Sequence, residues 1–396
     1  MTLGVTSLKQ GAKAPRLSPC RGDIHRRGRS RSTELKSFLP IALALGFLAA
    51  LSAPATAAVM RVAVVAPQSG PFQILGDQIR AGATFAAKQK DVEIVEIDER
   101  CETTGEATGD GDTLAKSLAA SGAQAAVGFL CTEGLEASLP VLAEAGIPAI
   151  SVSVRSDVLM ADALKKGWPF FRLVPGQGDE AMAVAGYVAR NWKDVPFALL
   201  DDGTIQSREL TEAVRTILAE KGMSAVFTDT FRPAQEQQVG LVRRLAKSGA
   251  THVFTSGDRN DTAILARDAA SEKIALTIAG GDQLNGADQT VPLANGVKAI
   301  TVPDYAGLAA ASDLVKGMQA EGMVAEGYVL PAAAAVTIAA DALTTAEDSG
   351  ISLADAIAKG SFSTAIGTVS FTAARDLAPS PYRPMVWQDG RFVPAP

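Results

Sequence analysis

Histidine is nearly missing from this chain: only His25 and His252 occur in 396 residues. Beyond residue 57 only His252 remains, at the start of an apolar run, which leaves no second histidine for a catalytic or metal-binding pair. Cysteine is almost as scarce, with Cys20, Cys101 and Cys131, and no clustered His/Cys/Asp set suits zinc. A Gly-x-Ser-x-Gly nucleophile elbow is also absent, and together these gaps argue against an enzyme.

Positive charge is scarce everywhere except at the start. Nine of the 37 Lys and Arg residues but only two of the 43 acids, Asp23 and Glu34, fall in residues 1–57, so the remainder carries a net charge of −13. A surface of that sign does not seek nucleic acid or anionic membrane. The basic stretch runs into the apolar residues Phe38 to Leu51, which are too few for the roughly 20 that a spanning helix needs. Ser52-Ala53-Pro54-Ala55-Thr56-Ala57 follows, and its small residues fit a leader-peptidase site, so residues 1–57 read as a cleaved signal peptide. Arg26-Arg27 lacks the apolar residues that follow a twin-arginine pair. Leu17-Ser18-Pro19-Cys20 mimics a lipoprotein box, but no apolar segment precedes it, and a lipid anchor is rejected. The rest of the chain is long enough for two domains of about 150 residues each. Cys101 and Cys131, left in an exported chain, are consistent with a disulfide.

Strand and helix patterns alternate from Arg61 onward. Arg61 to Ala66, Val92 to Ile97, Ala125 to Leu130 and Pro148 to Val152 read as buried strands. Gly76 to Lys88, Asp112 to Ser121 with Asp112 as N-cap, and Gly134 to Ala145 read as the helices between them. Uninterrupted apolar strands separated by helices predict a parallel sheet covered on both faces. The pattern starts afresh with a helix over Asp179 to Asn191, a strand over Phe197 to Leu200, a helix over Ser207 to Lys221 and a strand over Ala225 to Thr228. Ala125 to Ser153 and His252 to Asp282 repeat one plan of strand, polar loop, helix, strand and polar loop. The expectation is therefore an α/β chain with two lobes of like design, completed by an apolar helix over 326–343 and late strands at Gly367 to Phe371 and Met385 to Trp387.

Val65-Ala66-Pro67-Gln68-Ser69-Gly70-Pro71, Gly76-Asp77-Gln78, Val127 to Thr132, Ala143 to Pro148 and Phe170-Phe171-Arg172 resemble, in order and spacing, the leucine/isoleucine/valine-binding proteins of ABC importers. The resemblance implies a type I periplasmic binding protein fold, two doubly wound parallel-sheet lobes joined by three hinge crossovers. The crossovers would fall near Pro175, Pro303 to Asp304 and Ile366 to Gly367. Residues 58–174 plus 305–366 would then form lobe 1, and 175–304 plus 367–396 lobe 2. It further implies a protein of the periplasm that captures an amino acid or related polar ligand without a cofactor and hands it to ABC permease subunits. Cys101 and Cys131 sit where that family has a disulfide.

Ligands of doubly wound sheets bind beyond the carboxyl ends of the strands, so the loops after Leu130, Val152, Leu200, Thr255 and Ala279 are expected to face the cleft. The helix opening near Thr132 offers amides and a hydroxyl to a carboxylate. In the family's pattern Thr132 holds the ligand carboxylate, Ser153 presents a carbonyl to the ammonium, and Asp282 pairs with that ammonium. The chain departs from the pattern at Arg155, where the family has Thr, and at Arg259 and Gln206, where it commonly has Tyr. Leu75 replaces another aromatic. The implied pocket is more cationic and less aromatic than one built for leucine.

Each of these residues has a plainer reading. Thr132 also reads as a helix cap, Asp282 as a turn former, and Arg155 and Arg259 as rim residues in surface ion pairs. Asp110-Gly111-Asp112 lacks the rest of a calcium loop and reads as a turn. Gly109-Asp110-Gly111 lacks the third glycine of a nucleotide fingerprint. Trp168, Trp192 and Trp387 read as packing residues. A periplasmic sensor module of the same fold is the alternative to transport.

Overall fold

A computed structural model describes residues 59–101, 110–287 and 290–395; the leader assigned to residues 1–57 lies outside the described residues. Residues 57–396 form one compact unit.

The first half runs β1 (Arg61–Ala66), α1 (Gln73–Lys90), β2 (Glu93–Asp98), α2 (Asp110–Ala120), β3 (Ala125–Gly128), α3 (Thr132–Glu144), β4 (Ala149–Ser151), α4 (Asp157–Lys166) and β5 (Phe170–Arg172). Its five strands pair in parallel in the order β2-β1-β3-β4-β5. Val62, Val64, Ala126, Val127, Ile150 and Phe171 are buried because helices cover both faces of the sheet. Each of these valine, isoleucine and phenylalanine side chains removed from water stabilises the lobe by about 1.5–3 kcal/mol.

The second half repeats the device with α5 (Asp179–Asn191), β6 (Phe197–Asp201), α6 (Ile205–Glu220), β7 (Phe227–Thr230), α7 (Val239–Ser248), β8 (His252–Thr255), α8 (Arg259–Ser271), β9 (Thr277–Gly280) and β10 (Lys298–Thr301). The chain then returns to the first core through α9 (Ser312–Ala320), α10 (Val329–Ser349) and α11 (Leu353–Lys359). Helix α10 is long and apolar enough to cross a bilayer, but most of it is buried, and it serves as a core helix. It lies so close to α1 that a Cβ on Gly82 would fall 1.9 Å from Val329 O, which is why no side chain is tolerated there.

The strands β11 (Ser361–Thr364), β12 (Gly367–Phe371) and β13 (Leu377–Ala378) form a small antiparallel sheet, and β14 (Arg383–Gln388) and β15 (Arg391–Pro394) extend the second sheet to β15-β14-β10-β9-β8-β6-β7. This corrects the expected third crossing. Val369 and Phe371 of β12 pack in the first lobe's core, because β11 and β12 close on each other as a hairpin at Ala365-Ile366. The chain therefore crosses after Ala378 rather than at Ile366 to Gly367, and residues 367–378 belong to the first lobe. The other two crossings lie between β5 and α5 and between β10 and α9.

Several boundaries also differ. Strand β3 stops at Gly128 rather than Leu130, because Gly128 (φ 106°) and Phe129 (φ 60°) leave the extended region. Helix α2 begins at Asp110, which places Asp112 inside the first turn rather than at the cap.

Candidate functional site

Three strands of the first lobe end together on one side of the sheet, and their loops build a compact floor. Phe129 is buried in a left-handed conformation, with its N–H on Val65 O at 2.9 Å. The next two amides, of Leu130 and Cys131, donate to the carboxylate of Glu99 at 2.6 and 3.1 Å. Glu99 is fully buried, and burial pushes its carboxyl up to about 7 against the pull of those two hydrogen bonds. Cys131 is disulfide-bonded to Cys101, with Cα atoms 5.7 Å apart. Glu99 and the two sulfurs lie close enough to hold a metal, but the disulfide consumes both thiols, so one carboxylate remains and the set does not fit an ion.

Helix α3 starts immediately after this floor. Cys131 at its N-cap is extended (φ −111°, ψ 133°) and supplies no side-chain cap to the first-turn amides. Thr132 is half-buried, and its hydroxyl makes no hydrogen bond among the described residues. Ser153, in the loop after β4, donates from Oγ to Leu130 O at 2.8 Å. Ser151 Oγ accepts the Ser153 and Val154 amides at 3.3 and 3.0 Å, which fixes that loop against the floor.

Arg155 reaches away from the first lobe toward the crossings. Its Nε donates to Pro175 O at 3.0 Å, and Nη2 donates to Gly176 O at 3.3 Å and to Tyr382 Oη at 3.2 Å. Behind it the buried Arg172 pairs with Asp157 at 2.9 Å, and donates to Asp376 at 2.8 Å and to Arg155 O at 2.8 Å. Tyr382, on the third crossing, donates in turn to Asp282 Oδ2 at 2.7 Å. Burial and the neighbouring Asp282 carboxylate hold the Tyr382 hydroxyl well above the usual phenol range. Asp282 Oδ1 accepts Thr301 Oγ1 at 2.6 Å and the Val302 amide at 3.2 Å. With about four acceptor positions on a carboxylate, three are taken and the fourth accepts nothing from the described residues. The Asp282 amide donates to Glu180 Oε1 at 2.8 Å. A line of hydrogen bonds thus runs from Arg155 in the first lobe through Tyr382 to Asp282 and Glu180 in the second.

The remaining two candidates do not join this group. Gln206 is exposed in the first turn of α6. Arg259 is buried, donates to Leu284 O at 2.8 Å, and stacks on Trp387 with 4.0 Å to the ring centroid. Its guanidinium lies inside the second lobe in a cation–π contact, buried rather than at an exposed rim. An open groove of about 520 Å³ beside β6 and β7, bordered by Asp202, Thr204, Arg208 and Arg232, includes none of the six candidates. His252 packs with its ring centroid 5.2 Å from that of Trp192. Sequence reasoning missed Tyr382, Glu180 and Glu99; the only local signal was the side-chain-free Gly280-Gly281 beside Asp282.

Comparisons with known proteins give one consistent picture. A family model described as periplasmic binding protein matches residues 59–391. The Leu/Ile/Val-binding protein homolog 3 of Brucella melitensis is 25% identical over 376 residues, covering 91% of this chain and 98% of that protein. An ABC transporter substrate-binding protein from Desulfitobacterium hafniense, solved in complex with Leu, has a TM-score of 0.60 at 18% identity and covers 85% of this chain and 99% of its own. A solute-binding protein of an ABC transporter from R. palustris, in complex with benzoate, has a TM-score of 0.56 at 16% identity, covering 85% and 95%.

Proposed function

The chain belongs to the periplasmic binding protein family, and on that premise we propose that it is an exported receptor that closes its two lobes on a small α-amino acid and delivers it to ABC permease subunits. Its curated relatives are named Leu/Ile/Val-binding proteins, and proteins of this family bind solutes rather than transform them. Residues 1–57 serve as its cleaved leader. The reading is supported by two features of the candidate residues: α3 starts at Thr132 without a side-chain cap, and the Asp282 carboxylate, held by Thr301, Val302 and Tyr382, keeps an acceptor position that no described residue takes.

The physical roles follow from those two features. A ligand carboxylate accepts hydrogen bonds from the α3 amides and the Thr132 hydroxyl. The ammonium donates to the Ser153 carbonyl and to Asp282, where desolvation on closure strengthens a charge-assisted bond. Arg155 and Tyr382 act as a strut that holds Asp282 in place while the lobes move. Ligand contacts from both lobes favour the closed population.

A thermal-shift screen of residues 58–396 against leucine, isoleucine, valine, glutamate and benzoate tests the reading. A ligand at about 100 times its dissociation constant stabilises by about 2.7 kcal/mol, so a clear rise in melting temperature with an amino acid is expected. A flat response across every amino acid contradicts it.

A further inference from the structure

The loop after β9 meets helix α5 at a point where the chain carries no side chain. A Cβ on Gly281 would fall 2.1 Å from Glu180 Oε1, so Glu180 occupies that space and receives the Asp282 amide. Glu180 is only 9% exposed. It lies in the first turn of α5, the first helix beyond the first crossing, and therefore sits at the junction of the lobes. Its other carboxylate oxygen has no hydrogen bond among the described residues.

Among the described residues, three titratable or charged groups face Glu180. Asp282 comes from the loop after β9, Tyr382 from the third crossing, and Arg155 from across the junction on the loop after β4. With both carboxylates ionised, two negative charges meet one guanidinium, and that guanidinium is already hydrogen-bonded to Pro175, Gly176 and Tyr382. A ligand ammonium supplies the missing positive charge, whereas a carboxylic acid of the same shape without an amine supplies none.

Resting on the reading above, we propose that Glu180 is a specificity-determining residue: a second acid beside Asp282 that makes binding depend on the ligand's amine and on pH. Burial first, and the Asp282 carboxylate second, push the Glu180 carboxyl up to about 7. At neutral pH the free protein then holds a proton there for much of the time. An arriving ammonium favours the ionised form, so binding expels that proton. The sign follows directly: below the raised value the proton must be displaced and affinity falls, and above it no such cost applies.

The test is calorimetry of leucine and of its deaminated counterpart, 4-methylpentanoate, on the full mature chain, in two buffers of different ionisation enthalpy. Wild type is expected to release protons on binding leucine near neutral pH, to bind it about tenfold more weakly near pH 6 than near pH 8, and to reject 4-methylpentanoate. Glu180→Gln is expected to flatten the pH profile and to narrow the preference for leucine about tenfold. Proton release is read on the wild type alone, so a poorly folding variant does not decide the matter. Equal binding of the two ligands, absence of proton release, or an unchanged profile in Glu180→Gln overturns this inference and leaves the receptor reading in place. No binding of leucine or of any amino acid in the screen overturns both.

Discussion

The unit β3–α3–β4 of the first lobe and the unit β8–α8–β9 of the second share one plan and differ where it matters. In both, the residue after the strand bends back onto a neighbouring strand: Phe129 N–H on Val65 O at 2.9 Å, and Ser256 N–H on Leu200 O at 3.0 Å. Beneath the first loop lies a buried carboxylate, Glu99. Beneath the second lies a set of neutral hydroxyls, with Ser256 Oγ 2.5 Å from Ser207 Oγ and 2.8 Å from Thr211 Oγ1. Helix α3 begins without a side-chain cap, whereas α8 is capped by Asp258, whose carboxylate accepts the Asp261 amide at 2.8 Å. The residue that opens each helix follows suit. The Thr132 hydroxyl has no hydrogen bond among the described residues, while Arg259 is folded onto Trp387. The two units thus differ at their helix starts: the first has no side-chain cap, and the second is capped by Asp258, with an acid, Asp282, one loop later.

The comparison is broken most strongly at that acid. Asp282→Asn keeps the shape that Thr301 and Val302 hydrogen-bond but removes the charge, and amino-acid affinity is expected to fall by about 2–5 kcal/mol, from about thirtyfold upward, in a calorimetric titration. The next effect is on stability and belongs to the first lobe. Glu99 is raised in the folded protein from 4.5 to about 7, so the folded state keeps its proton where the unfolded chain has lost it. Stability is full below about pH 4.5 and is lost as pH rises through about 7, by about 3 kcal/mol. Thermal melts near pH 5 and near pH 8 should show the lower value at the higher pH, with a narrower gap in Glu99→Gln. Thr132→Val removes one hydrogen bond to a ligand carboxylate and should weaken binding by about 2 kcal/mol, with an unchanged melting temperature. Asp258→Ala does the reverse, costing about 1 kcal/mol of stability through the lost cap and leaving affinity as it was. Should Asp258→Ala weaken ligand binding as much as Thr132→Val, the two helix starts are not divided in the way described.

Much of this arrangement was legible in the residues. The alternation of apolar runs with amphipathic stretches placed α5 and β12 at their observed bounds, and the repeat of Ala125 to Ser153 in His252 to Asp282 is the repeat of β3–α3–β4 in β8–α8–β9. Local signals are carried by nearby residues, so they can be read from them. What escaped depends on distant partners. Arg259 meets Trp387 from 128 positions away, and no spacing rule announces a cation–π contact of that reach. Tyr382 became a strut only because the third crossing lies beyond β13, and the hairpin that moves it there is a tertiary choice of Val369 and Phe371 for the first core. Glu180, in the first turn of a helix, passes as an ordinary complement to the helix dipole until Gly281 is seen to make room for it.

The central claim is that the two lobes close on an amino acid held between Thr132 and Asp282. Small-angle X-ray scattering of the mature chain, with and without saturating amounts of the amino acid that raises its melting temperature most, tests this most directly. A smaller radius of gyration on addition, abolished in Asp282→Asn, is the predicted result. A ligand that binds and leaves the radius unchanged would contradict the account.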